Sequence, residues 1–167
     1  MYTSIEAFIG DWHHEAETTQ KVFDALTDSS LQQMISPDDR SLGRIAWHIV
    51  TSTPEMLNEF GIKVDSVSNA DSVPSSAKEI ADTFRKVSAD TIDAVKEQWT
   101  NASLSEMKNV FGMDMPGGVM LLMLNKHIIH HRGQISVLMR QAGLRVPGIY
   151  GPTREDWSQM GMDAPTI

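Results

Sequence analysis

Asn125-Lys126-His127-Ile128-Ile129-His130-His131-Arg132-Gly133-Gln134 is the stretch around which the chain is organised. It lies in a long apolar run, and on a helix it sets His127 and His131 one turn apart on the same side. A transition metal needs two or more neutral nitrogens converging at about 2.0–2.1 Å, and an i, i+4 pair supplies two without distorting the backbone. A third ligand has to come from elsewhere. The same spacing also suits two polar residues at a bundle surface or a satisfied pair in a core. Ile128 stands where the zinc-protease signature His-Glu-x-x-His has its general base, so that signature is absent.

Outward from this stretch, the apolar spacing predicts a helix from about Val119 to Ala142, ended by Gly143 at a position where a left-handed cap is common. Met123, His127, His131, Gln134 and Leu138 share one face, while Leu121, Ile128, Ile135 and Met139 form another apolar strip. Two buried sides imply a central position or a subunit interface. Upstream, the Gly and Pro content of residues 101–118 predicts a shaped loop. Ile80, Phe84, Val87, Thr91, Ala94, Val95 and Trp99 recur at three and four, which predicts an amphipathic helix over 77–99. Residues 62–76 read as a surface connection.

A second helix is predicted from Ser41 to about Phe60, with Leu42, Ile45, Ile49, Met56, Leu57 and Phe60 on one face and Pro54 kinking or breaking it. Its polar strip carries Ser41, His48, Ser52, Glu55 and Glu59, and periodicity alone places His48 in solvent. Ser-Pro-Asp-Asp at 36–39 marks a loop over 27–39. Thr3 or Ser4 caps a first helix reaching about Leu26, on which His13 and His14 face solvent or the rim. The tail from Leu144 holds a short helix near Arg154 to Met160. Together these elements predict an all-α four-helix bundle with a short C-terminal extension, one domain over 1–167, with the up–down order open.

The chain has 167 residues, 41% of them hydrophobic, enough for a sizeable core. A formal charge of −8 opposes phosphate-backbone binding, so no nucleic-acid partner is expected. There is no cysteine, which excludes disulfides, thiolate-bound zinc, iron–sulfur clusters and a cysteine nucleophile. Any thiol chemistry has to use a thiol from the substrate. No apolar run reaches membrane-spanning length and the N-terminus has no signal-peptide pattern, so a soluble, cytoplasmic protein with no membrane partner is expected.

Three words of the sequence carry a family likeness: Gly43-Arg44-Ile45-Ala46-Trp47-His48-Ile49, then His127 through Gln134, then Pro147-Gly148-Ile149-Tyr150-Gly151-Pro152. With them the chain resembles, over nearly its whole length, the DinB superfamily, the damage-inducible YfiT-like group that is unrelated to the DNA polymerase sharing the name. The resemblance implies a four-helix bundle, often a homodimer, with a divalent metal held by three histidines. The residues that match those ligands are His48, His127 and His131. It also implies low-molecular-weight thiols as cosubstrates or cofactors, as in the better-understood relatives.

Three neutral histidines leave an open coordination position, the catalytic arrangement rather than the closed structural one. Transfer of a low-molecular-weight thiol to a small-molecule substrate and metal-dependent hydrolysis need the same set of ligands. Hydrolysis also needs a base, for which Glu55 is the acidic candidate. A non-enzymatic, metal-stabilised ligand-binding bundle is the alternative of a different class. Gln134 is placed to hydrogen-bond a ligand or bound water, and His130 to pack, hydrogen-bond a ligand or line an interface. Arg132 points elsewhere and reads as a salt-bridge former. Zinc and nickel suit the histidine set, as do iron and manganese. A di-iron centre is disfavoured, since no Glu stands three residues before a His.

Overall fold

Residues 1–166 are described by a computed structural model. Ser4 starts helix α1 (Ile5–Asp24) by accepting a hydrogen bond from the Ala7 N–H at 3.1 Å. Ser41 does the same for α2 (Leu42–Glu59), taking the Arg44 N–H at 3.2 Å. The third helix, α3, spans Ala77–Gln98 and α4 spans Gly117–Gln141. A short α5, Arg154–Gln159, is tied to α4 by the Arg140–Glu155 ion pair at 2.6 Å. Beyond α4, Gly143 takes φ 76°, and the Leu144 N–H reaches back to the Met139 carbonyl at 2.9 Å, closing the helix as expected.

Helices α1 and α2 each pack on both α3 and α4, so the order around the bundle is α1, α3, α2, α4. Two connections, α1 to α2 and α3 to α4, therefore cross the bundle diagonally. The first contains a 3-10 turn, Asp28–Gln32, within the stretch expected to be loop. Trp12, Phe8, Phe23, Phe84, Ile49, Ile80, Leu57 and Ile128 fill the interior. Each side chain of this size removed from water contributes about 1.5–3 kcal/mol before entropy is counted. No helix among the described residues is long and apolar enough to cross a membrane.

One expectation is corrected and a second is narrowed. Residues 101–118 are not a plain loop: strands β1 (Met107–Val110) and β2 (Met113–Pro116) pair antiparallel across a Phe111-Gly112 turn with φ 53° and 77°. Val110 and Met115 turn inward onto the core. The Gly117-Gly118 pair belongs to the first turn of α4, where a Cβ on Gly118 would clash with the Tyr2 carbonyl oxygen. Close backbone approach, not flexibility, is what glycine provides there. Nor does Pro54 break α2, which runs through it without interruption. Pro54 forfeits one i→i−4 bond and is itself buried in the bundle.

A second set of contacts orients α4. Arg132, 1% exposed, donates from Nη2 to Glu15 Oε2 at 2.6 Å and from Nη1 to the Glu15 carbonyl at 3.0 Å and Thr19 Oγ1 at 3.1 Å. It also donates to the Tyr150 hydroxyl at 2.6 Å, which in turn donates to the Glu15 carboxylate at 2.8 Å. The salt bridge expected of Arg132 is therefore an internal clamp joining α1, α4 and the tail. By fixing the rotation of α4, it directs the face bearing His127 and His131 towards α2.

Candidate metal centre

His127 and His131, one turn apart on α4, meet His48 from the middle of α2. Ring centroids are 5.0 Å apart for His48 and His127, 4.7 Å for His48 and His131, and 4.5 Å for His127 and His131. One nitrogen from each ring lies within 4.8 Å of the others. Three donors each about 2.0–2.1 Å from one tetrahedral ion stand about 3.3–3.4 Å apart, so the rings converge to within a short approach of a metal-binding arrangement. His131 is buried and the other two are half-buried. His48 is thus less exposed than its place on the polar strip of α2 predicted, because α4 packs along that edge.

The protonation state suits ligation. Burial, then the neighbouring His131 and the Arg40 and Arg44 cations, pushes His48 down to about 4. Burial, then His131, His48, His130 and Arg40, pushes His127 down to about 4 as well. His131 is lowered mainly by burial, against an upward pull from its hydrogen bond with Gln134. At neutral pH the rings are uncharged, the form that presents lone pairs to a metal.

Contacts around the trio hold the rings. Gln134 Oε1 lies 2.8 Å from His131 Nδ1 and accepts its proton when that nitrogen carries it, leaving Nε2 with a free lone pair. The Ser52 hydroxyl lies 3.0 Å from His127 Nε2 and 2.5 Å from the His48 carbonyl, joining α2 to α4. Ser52 stands one helical turn after His48 on the same strip, and that i, i+4 relation was the signal for a role the sequence reading did not assign it. His130 is exposed, with its ring 4.9 Å from that of His131, and is not one of the clustered three. Glu55 is exposed and likewise outside the cluster, which among the described residues contains no carboxylate. His13 and His14 are exposed on α1, as expected.

An open cavity of about 390 Å³ borders the trio at His131 and Gln134. Its other walls are Ile45 and Leu138 from the helices and Ile35, Asp38, Asp39 and Arg40 from the loop before α2. Cavities of about 400 Å³ also lie along α3, but their linings include no histidine, so size does not choose between them. Position beside three convergent donors does.

A model of the DinB family matches residues 1–163. A protein of Bacillus subtilis (strain 168), named only as uncharacterized protein YrdA, is 43% identical over 167 residues, all of both chains. The crystal structure of a DinB-like protein from Bacillus cereus ATCC 10987 is 48% identical, with a TM-score of 0.86 over 90% of this chain and 100% of that one. A DinB-like protein from Bacillus subtilis, YjoA, shares the fold with a TM-score of 0.67 over 86% of this chain and 97% of its own, at 16% identity.

Proposed function

This chain belongs to the DinB family, and from that premise we propose that His48, His127 and His131 hold one divalent ion, zinc or nickel, in a metal-dependent thiol transferase. The observation that carries the reading is the convergence of three neutral imidazoles from two helices beside an open cavity. Such an ion, when bound, lowers the pKa of a coordinated thiol or water. Gln134 fixes the His131 ring, Ser52 fixes that of His127, and the cavity gives a small molecule access from the His131 side. In the transfer, the thiol sulfur forms a bond to an electrophilic carbon, the leaving group departs with its electron pair, and the thiol proton passes to solvent. The thiol comes from a cosubstrate, since the chain has none.

Metal-dependent hydrolysis is the second reading, favoured by one observation: Asp38 and Asp39 line the same cavity and supply the carboxylate that activation of water needs. The setting assigned to either activity is one domain over 1–167 in a cytoplasmic homodimer, and sedimentation velocity checks the pairing. The direct test is incubation of zinc- or nickel-loaded protein with a small thiol and chlorodinitrobenzene, following release of chloride and formation of the thioether. Transfer well above that of the metal-stripped protein, lost in His127→Ala, is expected. Equal rates with and without metal would remove the transferase reading, and ester cleavage that needs the metal would replace it with the hydrolase.

A further inference from the structure

Among the described residues, Arg40 is the arginine that the fold leaves unengaged. Arg85, Arg132, Arg140, Arg145 and Arg154 are all in ion pairs, and Arg44 donates to the Asp71 carbonyl at 3.5 Å. Arg40 has neither an ion pair nor a hydrogen bond among the described residues, although two aspartates precede it directly. One of these, Asp39, accepts from Ser36 Oγ at 2.7 Å, a neutral donor that leaves its charge in place. Arg40 is exposed, and in a chain with a formal charge of −8 its guanidinium lines the cavity that borders the histidines, where it is available to an anion that is not part of the protein.

We infer that Arg40 seats the carboxylate of the thiol cosubstrate, in the cavity between the loop before α2 and the His131 edge of the three-histidine cluster. The inference rests on the transferase reading above for the identity of the ligand. The geometry favours a short molecule with an anion at one end and a metal-seeking sulfur at the other. Its carboxylate meets Arg40, its methylene groups lie against Ile45 and Leu138, and its sulfur reaches the histidines. The amide nitrogen of Gln134, whose oxygen is directed to His131, adds a second donor on the cavity wall. Asp38 and Asp39 are the charges that oppose an anion here, both exposed on the same wall and neither in an ion pair among the described residues. Arg40 is therefore a specificity-determining residue.

The test compares mercaptopropionate with its uncharged analogue mercaptopropanol. Calorimetric titration of the protein as purified reads the preference for the carboxylate. The sulfur-to-cobalt absorption band of cobalt-loaded protein reads separately whether sulfur reaches the histidines. The parent should bind mercaptopropionate about tenfold more tightly than mercaptopropanol. Arg40→Met should bring that ratio to about one with metal content unchanged, Arg40→Lys should keep part of it, and Asp38→Asn should enlarge it. A parent ratio near or below one, or a ratio that survives Arg40→Met, overturns the assignment. A ratio that depends on Arg40 without any cobalt band keeps the anion seat and removes the thiol reading. Bands of equal strength and affinity for both probes do the reverse, and binding of neither probe removes both.

Discussion

His131 and Arg132 are consecutive on α4, yet they enter two interiors built on opposite principles. Arg132 enters a site where formal charge is buried and matched: the guanidinium, the Glu15 carboxylate, the Thr19 hydroxyl and the Tyr150 hydroxyl satisfy one another. His131 enters a site where charge is withheld, since burial keeps it and its two neighbours neutral. One nitrogen of each ring converges on the other two within 4.8 Å. A matched buried cluster holds a fold together, whereas convergent unmatched donors wait for a ligand. On the reading proposed here, the difference separates a structural motif from a metal site on adjacent residues of one helix.

The largest expected effect breaks the matched side. Arg132→Ala leaves the Glu15 carboxylate buried and unpaired and should lower the unfolding free energy by about 3–5 kcal/mol in urea denaturation. The folded fraction should still bind metal at the parent stoichiometry. Loss of less than about 1 kcal/mol would show that the cluster is no clamp.

The pH dependence sharpens the other side. The native pKa values of His48 and His127, about 4, lie below the unfolded value of about 6.5. Between those values the unfolded chain binds protons that the metal-free native protein does not, so native stability should fall as pH drops from 6.5 towards 4 and level off above 6.5. Denaturation of metal-stripped protein across that range, beside imidazole resonances titrating near 4, measures it. Resonances of His48 and His127 titrating near 6.5 would contradict the neutral cluster. A smaller effect is expected from Gln134→Ala, which frees the His131 ring and should weaken metal affinity by about tenfold without changing stoichiometry, as read by competition with a chelator.

Much of this division is legible in the sequence, and the rest is hidden for identifiable reasons. Helical periodicity locates the four long helices because apolar stripes report burial directly, and the i, i+4 spacing of His127 and His131 reports a shared face. His48 reaches the cluster because α2 and α4 are neighbours around the bundle, a tertiary fact that the periodicity of α2 cannot carry. Its place in the site came instead from the family resemblance. Glu15 stands beside the apolar stripe of α1 with no partner nearby in sequence: Arg132 is 117 residues away. The hairpin over 107–116 was masked because glycine and proline mark both loops and close-packed turns. Arg40 carries no local signal, since its significance is the lack of a partner among the described residues of the folded chain.

The central claim is that the unmatched site holds a metal. Elemental mass spectrometry on tag-free protein purified without added metal, beside His48→Ala, His127→Ala and His131→Ala, tests it most directly. About one divalent ion per chain is expected in the parent, with each variant losing most of it while its helical circular dichroism persists. A parent that stays empty after incubation with zinc and with nickel, or variants that retain the parent's metal content, would contradict the account.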